Sequence, residues 1–313
     1  MRALIALGGN AMTAEDGRAT PEAQQEAIAA AMGAVADLVE QGVDVVLTHG
    51  NGPQVGNLLV KNELAAQVVP PVPLDWCGAQ TQATIGFIML NTLEKALAVR
   101  GVDRRVAVLV TRTLVDHADS GFSCPTKPIG RFLNREQAEP LIAHGQRWED
   151  RGAKGWRRVV ACPEPAEVLD APAVAALIAA GFLVVAAGGG GIPVVRKRDG
   201  SLYGVEAVLD KDLTAELLAR TVRADTLVIA TDVENAVIGF GTPEAYPLSH
   251  VTPDQLRSYA AGGQFASGSM GPKVEAAARF VERGGRRSVI TSLDRICDAV
   301  TAQEGAGTVV ESA

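Results

Sequence analysis

Short apolar runs alternate with longer segments of helical periodicity along most of the chain. The apolar runs predict buried strands over residues 3–7, 43–49, 105–111, 182–187, 226–231 and 288–291. Helices are predicted over residues 21–41, 53–67, 75–99, 173–180 and 211–221, at a capping box that begins at Thr252, and after Gly271. Strands that alternate with helices indicate an α/β fold with a mostly parallel open sheet and helices on both faces.

One segment, from about residue 114 to residue 158, breaks this alternation. It contains FSCPTKPIGRF and RWEDRGAKGWRRVV, with many charges, glycines and prolines and no long apolar period. Loops of this length are usually functional or disordered. We predict hairpins that leave the sheet and protrude as a flap.

The composition excludes several classes of partner. The chain has 313 residues, 47% of them apolar, and a net charge of −7, which predicts no general attraction to nucleic acid or to an anionic membrane. No apolar run approaches the ~18 residues of a membrane span, and the N-terminus lacks a signal-peptide pattern. The four cysteines are far apart and show no zinc spacing. We expect a cytoplasmic protein with about two lobes.

Three glycine clusters follow predicted strands: Gly8-Gly9-Asn10, Gly50-Asn51-Gly52 and the run 188–191. Ligands of open parallel sheets bind beyond the carboxyl ends of the strands. Glycine lets backbone N–H groups approach an anion closely, although a single cluster would also fit an ordinary turn. Three clusters at strand ends favour a site for a small anion.

Lysine is rare, with seven lysines among 29 basic residues, yet three stand in tight contexts. Lys127 lies in PTKPIG, Lys211 in LDKDL, and Lys273 in MGPKVE at a predicted helix start, where the helix dipole disfavours a cation. A phosphate in front of that helix would explain Lys273. Phosphoryl transfer depends on positioning and charge neutralisation, and Asp212 could hold the lysine ammoniums in place. The alternative at LDKDL is a helix cap by Asp210 with a solvated Lys211.

Other chemistry has less support. No Walker motif occurs, and AAGGGGIP is not a dinucleotide fingerprint because it does not open a helix. Ser123 has no histidine partner nearby in the sequence, and a lone histidine at a strand end, His49, is more typical of a structural role. The remaining histidines show no metal spacing. The pair Arg157-Arg158 beside tryptophans could indicate nucleic acid, but an acidic chain favours a solvated flap.

The chain resembles the carbamate kinases, a branch of the amino acid kinase family. The resemblance rests on eight motifs in order: ALGGNA, THGNGPQVG, PTKPIG, GWRRVV followed by PEP, AAGGGGIPV, GVEAVLDKDL, TDV with FGTP, and GSMGPKVEA. The combination of THGNGPQVG and PTKPIG favours this branch over the acetylglutamate, glutamate, aspartate and uridylate kinases.

The resemblance implies a three-layer α/β/α sandwich, a homodimer, and Mg²⁺ with ATP or ADP as cofactor. It implies reversible phosphoryl transfer between ATP and carbamate, often run toward ATP in the catabolism of arginine or related nitrogen compounds. We expect residues 1–209, with the flap at 114–158, to form the acceptor lobe and residues 210–313 the nucleotide lobe. Binding to nucleic acid or membranes is not expected.

The resemblance also assigns roles to residues. Carbamate and the transferred phosphoryl group would lie among Gly8, Gly9, Asn10, Gly50, Asn51 and Gly52. The catalytic groups would be Lys127, Lys211, Asp212 and Lys273, with no protein metal ligand. The nucleotide would contact Lys211, Thr231, Asp232, Val233, Met270, Gly271 and Lys273.

Two alternatives stay open from the sequence. One is a related kinase that phosphorylates another small carboxylate, which contacts from the flap would decide. The other is a non-catalytic sensor of nucleotide or carbamoyl phosphate, which would be expected to have lost the lysines. Carbamate is an anion at neutral pH and needs no general base, so the lack of a histidine–carboxylate pair agrees with the kinase.

Overall fold

A computed structural model of the chain describes residues 1–9, 20–266 and 268–312. In chain order the described strands are β1 (Arg2–Leu7), β2 (Asp44–His49), β3 (Val106–Val108), β4 (Arg112–Val115), β5 (Lys127–Leu133), β6 (Trp148–Asp150), β7 (Trp156–Val160), β8 (Pro165–Val168), β9 (Leu183–Val185), β10 (Ile192–Arg196), β11 (Leu202–Gly204), β12 (Thr226–Thr231), β13 (Val237–Ile238), β14 (Tyr246–Pro247), β15 (His250–Val251), β16 (Arg287–Ser292) and β17 (Thr308–Glu311). The α-helices are α1 (Pro21–Glu40), α2 (Gly52–Ala65), α3 (Leu74–Val99), α4 (Ser120–Ser123), α5 (Arg135–Ala143), α6 (Ala171–Ala179), α7 (Lys211–Thr221), α8 (Pro253–Ala261), α9 (Met270–Glu282) and α10 (Ile296–Thr301).

The main sheet has eight strands in the order β15-β17-β16-β12-β1-β2-β9-β3. Every neighbouring pair is parallel except β16 and β17. The centre of the sheet is β1, whose side chains are almost all buried, as expected for a strand covered on both faces. The prediction of a mostly parallel sheet is confirmed.

Alternate residues of β1 point into two separate cores. Ile5 and Leu7 pack in one core together with α1, α3 and α10, whereas Leu4 and Ala6 pack in another with α6, α7, α8 and α9. This period of two places one helical layer on each face. The architecture is therefore the predicted three-layer α/β/α sandwich.

The segment that breaks the alternation does leave the main sheet. Strands β5, β7 and β6 form an antiparallel sheet with α5 between them in sequence, and Leu133, Ala138 and Trp148 give it a small core of its own. We call residues 127–160 the flap. The predicted segment of 114–158 begins earlier than the flap, within β4, which belongs to a second, four-stranded sheet of order β11-β10-β4-β8 that is also separate from the main sheet.

Several predicted elements agree with the structure in detail, and others differ. Helix α7 and strand β12 have the predicted bounds, and Thr252 begins α8 with a capping box to Gln255. The strand predicted over 105–111 is wrong in its second half, because β3 ends at Val108. Helix α9 begins at Met270, one residue before Gly271.

The division predicted between residues 209 and 210 falls within one continuous sheet. Strand β1 from the first part pairs with β12 from the second over five residues. The two-lobe description stays a prediction about function. No helix in the described part of the chain has the length and apolar character needed to cross a membrane.

Candidate active site

A cleft of about 540 Å³ lies beyond the carboxyl ends of β1, β2 and β12, between the main sheet and the flap. Its walls include eleven of the residues predicted for the site. These are Gly8, Gly9, Gly50, Asn51, Gly52, Lys127, Lys211, Asp212, Thr231, Asp232 and Lys273. The position agrees with the rule that open α/β sheets bind ligands at this edge.

The three glycine clusters meet at the floor of the cleft. A Cβ atom on Gly50 would lie 2.6 Å from the Gly9 nitrogen and 3.3 Å from Cδ of Lys211. A Cβ on Gly189, whose φ is +65°, would overlap the side-chain amide of Asn51. The glycines are therefore required for the close approach of β1, β2 and the turn after β9. The same approach places the Lys211 side chain against the floor.

Not every glycine amide at the floor is available to a ligand. Gly8 donates its N–H to Ala230 O and Gly50 donates to Leu7 O, both at 2.8 Å, which continues the strand ladders. The expectation that these two glycines offer backbone donors to an anion is therefore wrong, because parallel pairing already uses them. Gly52, which begins α2 with no side-chain cap from Asn51, lines the cleft and is the first-turn residue whose amide can face a ligand there.

Asp212 holds two lysines together in the wall of the cleft. Nζ of Lys211 lies 2.5 Å from Oδ1 of Asp212, and Nζ of Lys273 lies 2.9 Å from Oδ2. Lys211 and Asp212 begin α7, and Lys273 is in the first turn of α9. Asp212 therefore joins the starts of two helices and aims both ammoniums at the cleft.

The charges of this trio are strongly coupled. Burial disfavours the charged Asp212 carboxylate, but the ammoniums of Lys211 and Lys273 outweigh it and lower the pKa of Asp212 to about 2. Burial lowers the pKa of Lys211, and the nearby charge of Lys273 lowers it further, against the opposing effect of Asp212. The trio has one carboxylate for two ammoniums, so an anion bound in the cleft would neutralise the remaining positive charge.

Lys127 reaches the site from the flap and uses a different carboxylate. Its Nζ lies 3.1 Å from Oδ2 of Asp210. The other oxygen of Asp210 accepts the Asp212 amide of α7 at 3.0 Å. Burial opposes the charge on Lys127, yet Asp210 and its acidic neighbours raise the pKa of Lys127 overall. Asp210 is thus both the helix cap and the partner of Lys127, and Lys211 is not solvated but only 12% exposed and paired with Asp212.

Four predicted residues do not line the cleft or cannot be placed. Val233 follows the lining residue Asp232 and is partly exposed. Met270 packs against the core on the α9 side of the sheet, and the Gly271 amide donates to Ala266 O at 2.9 Å. Asn10 lies outside the described residues. Their assigned contacts with substrate or nucleotide stay predictions.

The sequence did not reveal three charged residues of the cleft. The sequence predicts Asp210 only as a helix cap, and it assigns neither Arg131 nor Arg157 of the flap to the site. Arg131 pairs with Glu63 of α2 at 3.1 Å. The interpretation of Arg157-Arg158 as solvated is wrong, because both side chains are half-buried and Arg158 lies 3.5 Å from Glu206. Arg131 on β5 and Arg157 on β7 reach the site through the pairing of these two strands in the flap.

His49 is buried and does not line the cleft. Its Nδ1 lies 2.9 Å from the Gly50 carbonyl oxygen, so this nitrogen carries the hydrogen. Burial lowers the pKa of His49 to about 4. A neutral histidine fixed below the glycine floor agrees with the predicted structural role. Among the described residues, no group of three or more His, Cys, Asp or Glu side chains could hold a metal ion.

Comparisons with known proteins agree with this geometry. The model of the amino acid kinase family matches residues 1–292. The carbamate kinase of Thermococcus kodakarensis is 46% identical over 99% of both chains, and carbamate kinase 1 of Enterococcus faecium is 41% identical over 98% of both. The structure of carbamate kinase from Giardia lamblia bound to AMP-PNP is 38% identical, with a TM-score of 0.93 over 100% of this chain and 98% of that one. The chain therefore belongs to the amino acid kinase family, in the carbamate kinase branch of these ATP-dependent kinases.

Proposed function

We propose that the protein is a carbamate kinase that transfers a phosphoryl group reversibly between ATP and carbamate, giving ADP and carbamoyl phosphate. The observation that carries the proposal is the convergence of Lys127, Lys211 and Lys273 on a glycine floor, each oriented by Asp210 or Asp212. Relatives named as carbamate kinases span nearly the whole chain, which supports the same reaction here.

The arrangement suits an in-line displacement with little covalent participation of the protein. A carbamate oxygen attacks the γ-phosphorus of ATP, the new O–P bond forms, and the bond to the β–γ bridging oxygen breaks. ADP leaves with that electron pair. Carbamate is already anionic, so no side chain has to remove a proton. Carbamate would lie on the floor among Gly9, Asn51 and Gly52, and Asn10 is proposed to belong to the same subsite.

The lysines would divide the charge of the transferring group. Lys211 and Lys273 are proposed to contact the phosphates on the nucleotide side, with Thr231, Asp232, Val233, Met270 and Gly271 near the rest of the nucleotide. Lys127 would contact the acyl-phosphate end from the flap. With its pKa near 2, Asp212 stays ionised in the physiological range and keeps both of its lysines aimed at the phosphates.

The nucleotide is proposed to bind with Mg²⁺. Both oxygens of Asp212 already accept lysine ammoniums, so this carboxylate is not free to hold the ion. Mg²⁺ is commonly bound through substrate phosphates with few protein ligands. When bound, it would neutralise phosphate charge alongside the lysines.

The setting of the reaction is also part of the proposal. We infer a cytoplasmic enzyme that runs toward ATP in the catabolism of arginine or related nitrogen compounds. Residues 1–209 would serve the acceptor and residues 210–313 the nucleotide. The alternative of another small carboxylate acceptor has no specific observation in its favour. The sensor alternative is disfavoured because all three lysines are present and oriented.

The exposed aromatic face of α3 supports a homodimer. Trp76 is 60% exposed and Phe87 is 63% exposed, and eleven residues place them three turns apart on one side of the helix. Large exposed apolar patches commonly mark contacts between proteins. Strand β3, at the edge of the main sheet, lies beside this helix.

The proposed function is tested by measuring ATP formed from ADP and carbamoyl phosphate in a coupled assay with Mg²⁺. We expect turnover by the parent protein and a loss of at least about 100-fold in kcat/KM for Lys273→Ala, which corresponds to about 3 kcal/mol of lost transition-state stabilisation. Lys154→Ala is the matched control, because Lys154 is exposed on the flap outside the cleft.

Two results would contradict the proposal. One is ATP formation no higher than without enzyme. The other is a Lys273→Ala variant that performs as well as the parent and Lys154→Ala. A set of other small carboxylates, tested as acceptors of phosphate from ATP, separates carbamate kinase from the alternative acceptor.

A further inference from the structure

Arg157 stands apart from the other cations of the cleft because it has no carboxylate partner. Lys127, Lys211, Lys273 and Arg131 each lie within 3.1 Å of a carboxylate oxygen. No ion pair joins Arg157 to any carboxylate of the described residues, and its Nε is buried without a hydrogen-bond partner there. A half-buried guanidinium in this state carries an uncompensated desolvation cost.

Neighbouring strands hold the Arg157 side chain but do not neutralise it. Its guanidinium carbon lies 4.9 Å from the ring centroid of Phe132, its partner on β5. Its partner on β6 is Glu149, but that carboxylate pairs with Arg151 at 2.6 Å. Two arginines thus share the vicinity of one glutamate. Burial and the charge of Arg151 lower the pKa of Arg157, which reflects the missing counter-charge.

The cleft as a whole is positively charged although the chain is not. Its lining includes five cationic side chains and three carboxylates, in a protein whose net charge is −7. The carboxylates of the lining are Asp210, Asp212 and Asp232, and the first two already serve the lysines. The excess positive charge on the flap side of the cleft therefore rests mainly on Arg157.

We propose that Arg157 binds phosphate oxygens of the substrate in the cleft and is the substrate's counter-charge on the flap. A guanidinium group binds phosphate through two parallel hydrogen bonds. Stacking on Phe132 would fix the plane of the Arg157 guanidinium before the phosphate binds. Val160 is the residue of β7 that pairs with Lys127 across the strands. Arg157 is three residues from Val160 along β7, a backbone distance of about 10 Å. The two cations would therefore contact different parts of the bound reactants.

The phosphate could belong to carbamoyl phosphate or to the nucleotide, and the kinetics of Arg157→Gln distinguish the two. We expect KM to rise about 10-fold to 100-fold for one of these substrates, as for loss of a hydrogen bond between charged groups. A rise for carbamoyl phosphate with the KM for ADP within twofold assigns the contact to the acyl phosphate. The reverse pattern assigns it to the nucleotide.

Three variants and a binding measurement make the test decisive. Arg135→Gln is the control, since Arg135 is 76% exposed on the flap and outside the cleft. Arg157→Lys is expected to recover part of the lost affinity, because lysine keeps the positive charge but lacks the paired N–H donors of the guanidinium. Thermal unfolding with added inorganic phosphate reports binding without turnover, and we expect Arg157→Gln to weaken the shift in Tm.

The outcomes separate this proposal from the proposed function on which it rests. If the parent shows no turnover but Arg157→Gln still loses phosphate binding, only the carbamate kinase assignment fails. If the parent is active and Arg157→Gln matches Arg135→Gln in both KM values and in phosphate binding, the role of Arg157 is wrong. A lower Tm without ligand, with both KM values raised equally and no recovery in Arg157→Lys, would show a structural role and also overturn it.

Discussion

At the scale of single residues, the carboxylates Asp210 and Asp212 form ion pairs with the lysines of the site and are not proposed to contact the substrate. Asp212 accepts from Lys211 and Lys273, while Asp210 divides its oxygens between Lys127 and the start of α7. A lysine in the first turn of a helix is unfavourable on its own. At Lys273 the cost is offset because Asp212 lies 2.9 Å away. The arrangement gives each of the three ammoniums a carboxylate partner within the protein.

His49 shows how one buried group makes stability depend on pH. Its pKa is about 4 in the folded protein, below the unfolded value of 6.5, so the unfolded chain binds the proton first as the pH falls. The stabilisation is complete above pH 6.5 and is lost between pH 6.5 and pH 4. We expect the parent to lose about 2 kcal/mol between pH 7 and pH 4.5 through this residue.

The measurement compares urea unfolding of the parent and His49→Gln at those two pH values. Glutamine does not titrate, so the variant should lose about 2 kcal/mol less than the parent over this interval, whatever its stability at pH 7. Subtracting the two proteins removes the effect of other titrating groups. Equal pH dependence in both proteins would contradict the lowered pKa of His49.

At the scale of elements, the flap and the helices α7 and α9 bring separate lysines to the cleft. Lys127 is the first residue of β5, whereas Lys211 and Lys273 lie in α7 and α9. The flap rests on α2, where a Cβ on Gly56 would lie 3.5 Å from Cα of Gly130. Removal of Lys127 therefore leaves the α7–α9 pair and its carboxylate in place.

We expect Lys127→Ala to reduce kcat by at least about 100-fold and to change ADP affinity less than about threefold. Lys273→Ala should weaken ADP binding clearly, because its ammonium is proposed to contact the nucleotide phosphates. Isothermal titration with ADP and the coupled assay give the two quantities. Equal loss of ADP affinity in both variants would show that Lys127 contributes to nucleotide binding, which contradicts its proposed contact with the acyl phosphate.

The elements also show what the sequence could predict. Helix α7 and strand β12 have clear signals, namely an aspartate cap before a helical period and six residues buried in succession. The run RVAVLVTRTLV holds β3 and β4 of two different sheets. Its apolar residues continue from Val106 to Val110, past the end of β3 at Val108, so the pattern does not reveal where the chain leaves the main sheet. Helix α5 escapes prediction because it has nine residues with Pro140 inside.

The candidate site was predictable where it depends on local sequence. The glycine clusters follow strands of the main sheet, and Lys211 and Lys273 lie at helix starts, so their convergence follows from the rule for the carboxyl edge of a parallel sheet. Lys127 was recognisable only from its proline-rich context, because it reaches the cleft on β5 of the flap. Arg131 and Arg157 come to the cleft through antiparallel pairing in the flap, with a shift of register between Ile129 and Phe132. No pattern within the sequence specifies such a register.

At the scale of the whole molecule, charge and apolar surface are distributed unevenly. The positive cleft in a negatively charged protein would attract anionic substrates to one place on the surface. The exposed aromatic face of α3 lies on a different layer, since the buried residues Ile85 and Met89 of this helix pack in the core that also contains α1. A dimer formed through α3 would therefore use a surface distinct from the walls of the cleft.

We expect the parent to run as a dimer, with twice the chain mass of 32.6 kDa, when size-exclusion chromatography is combined with light scattering. Phe87→Glu should give the mass of a monomer, because a carboxylate without a partner at the centre of an interface costs several kcal/mol. Phe240→Glu is the control, since Phe240 is 80% exposed in a different part of the molecule and should leave the dimer intact. A parent of monomer mass, or a Phe87→Glu variant that stays dimeric, would remove α3 as the interface. If the cleft is complete within one chain, monomeric Phe87→Glu should keep most of the parent's kcat.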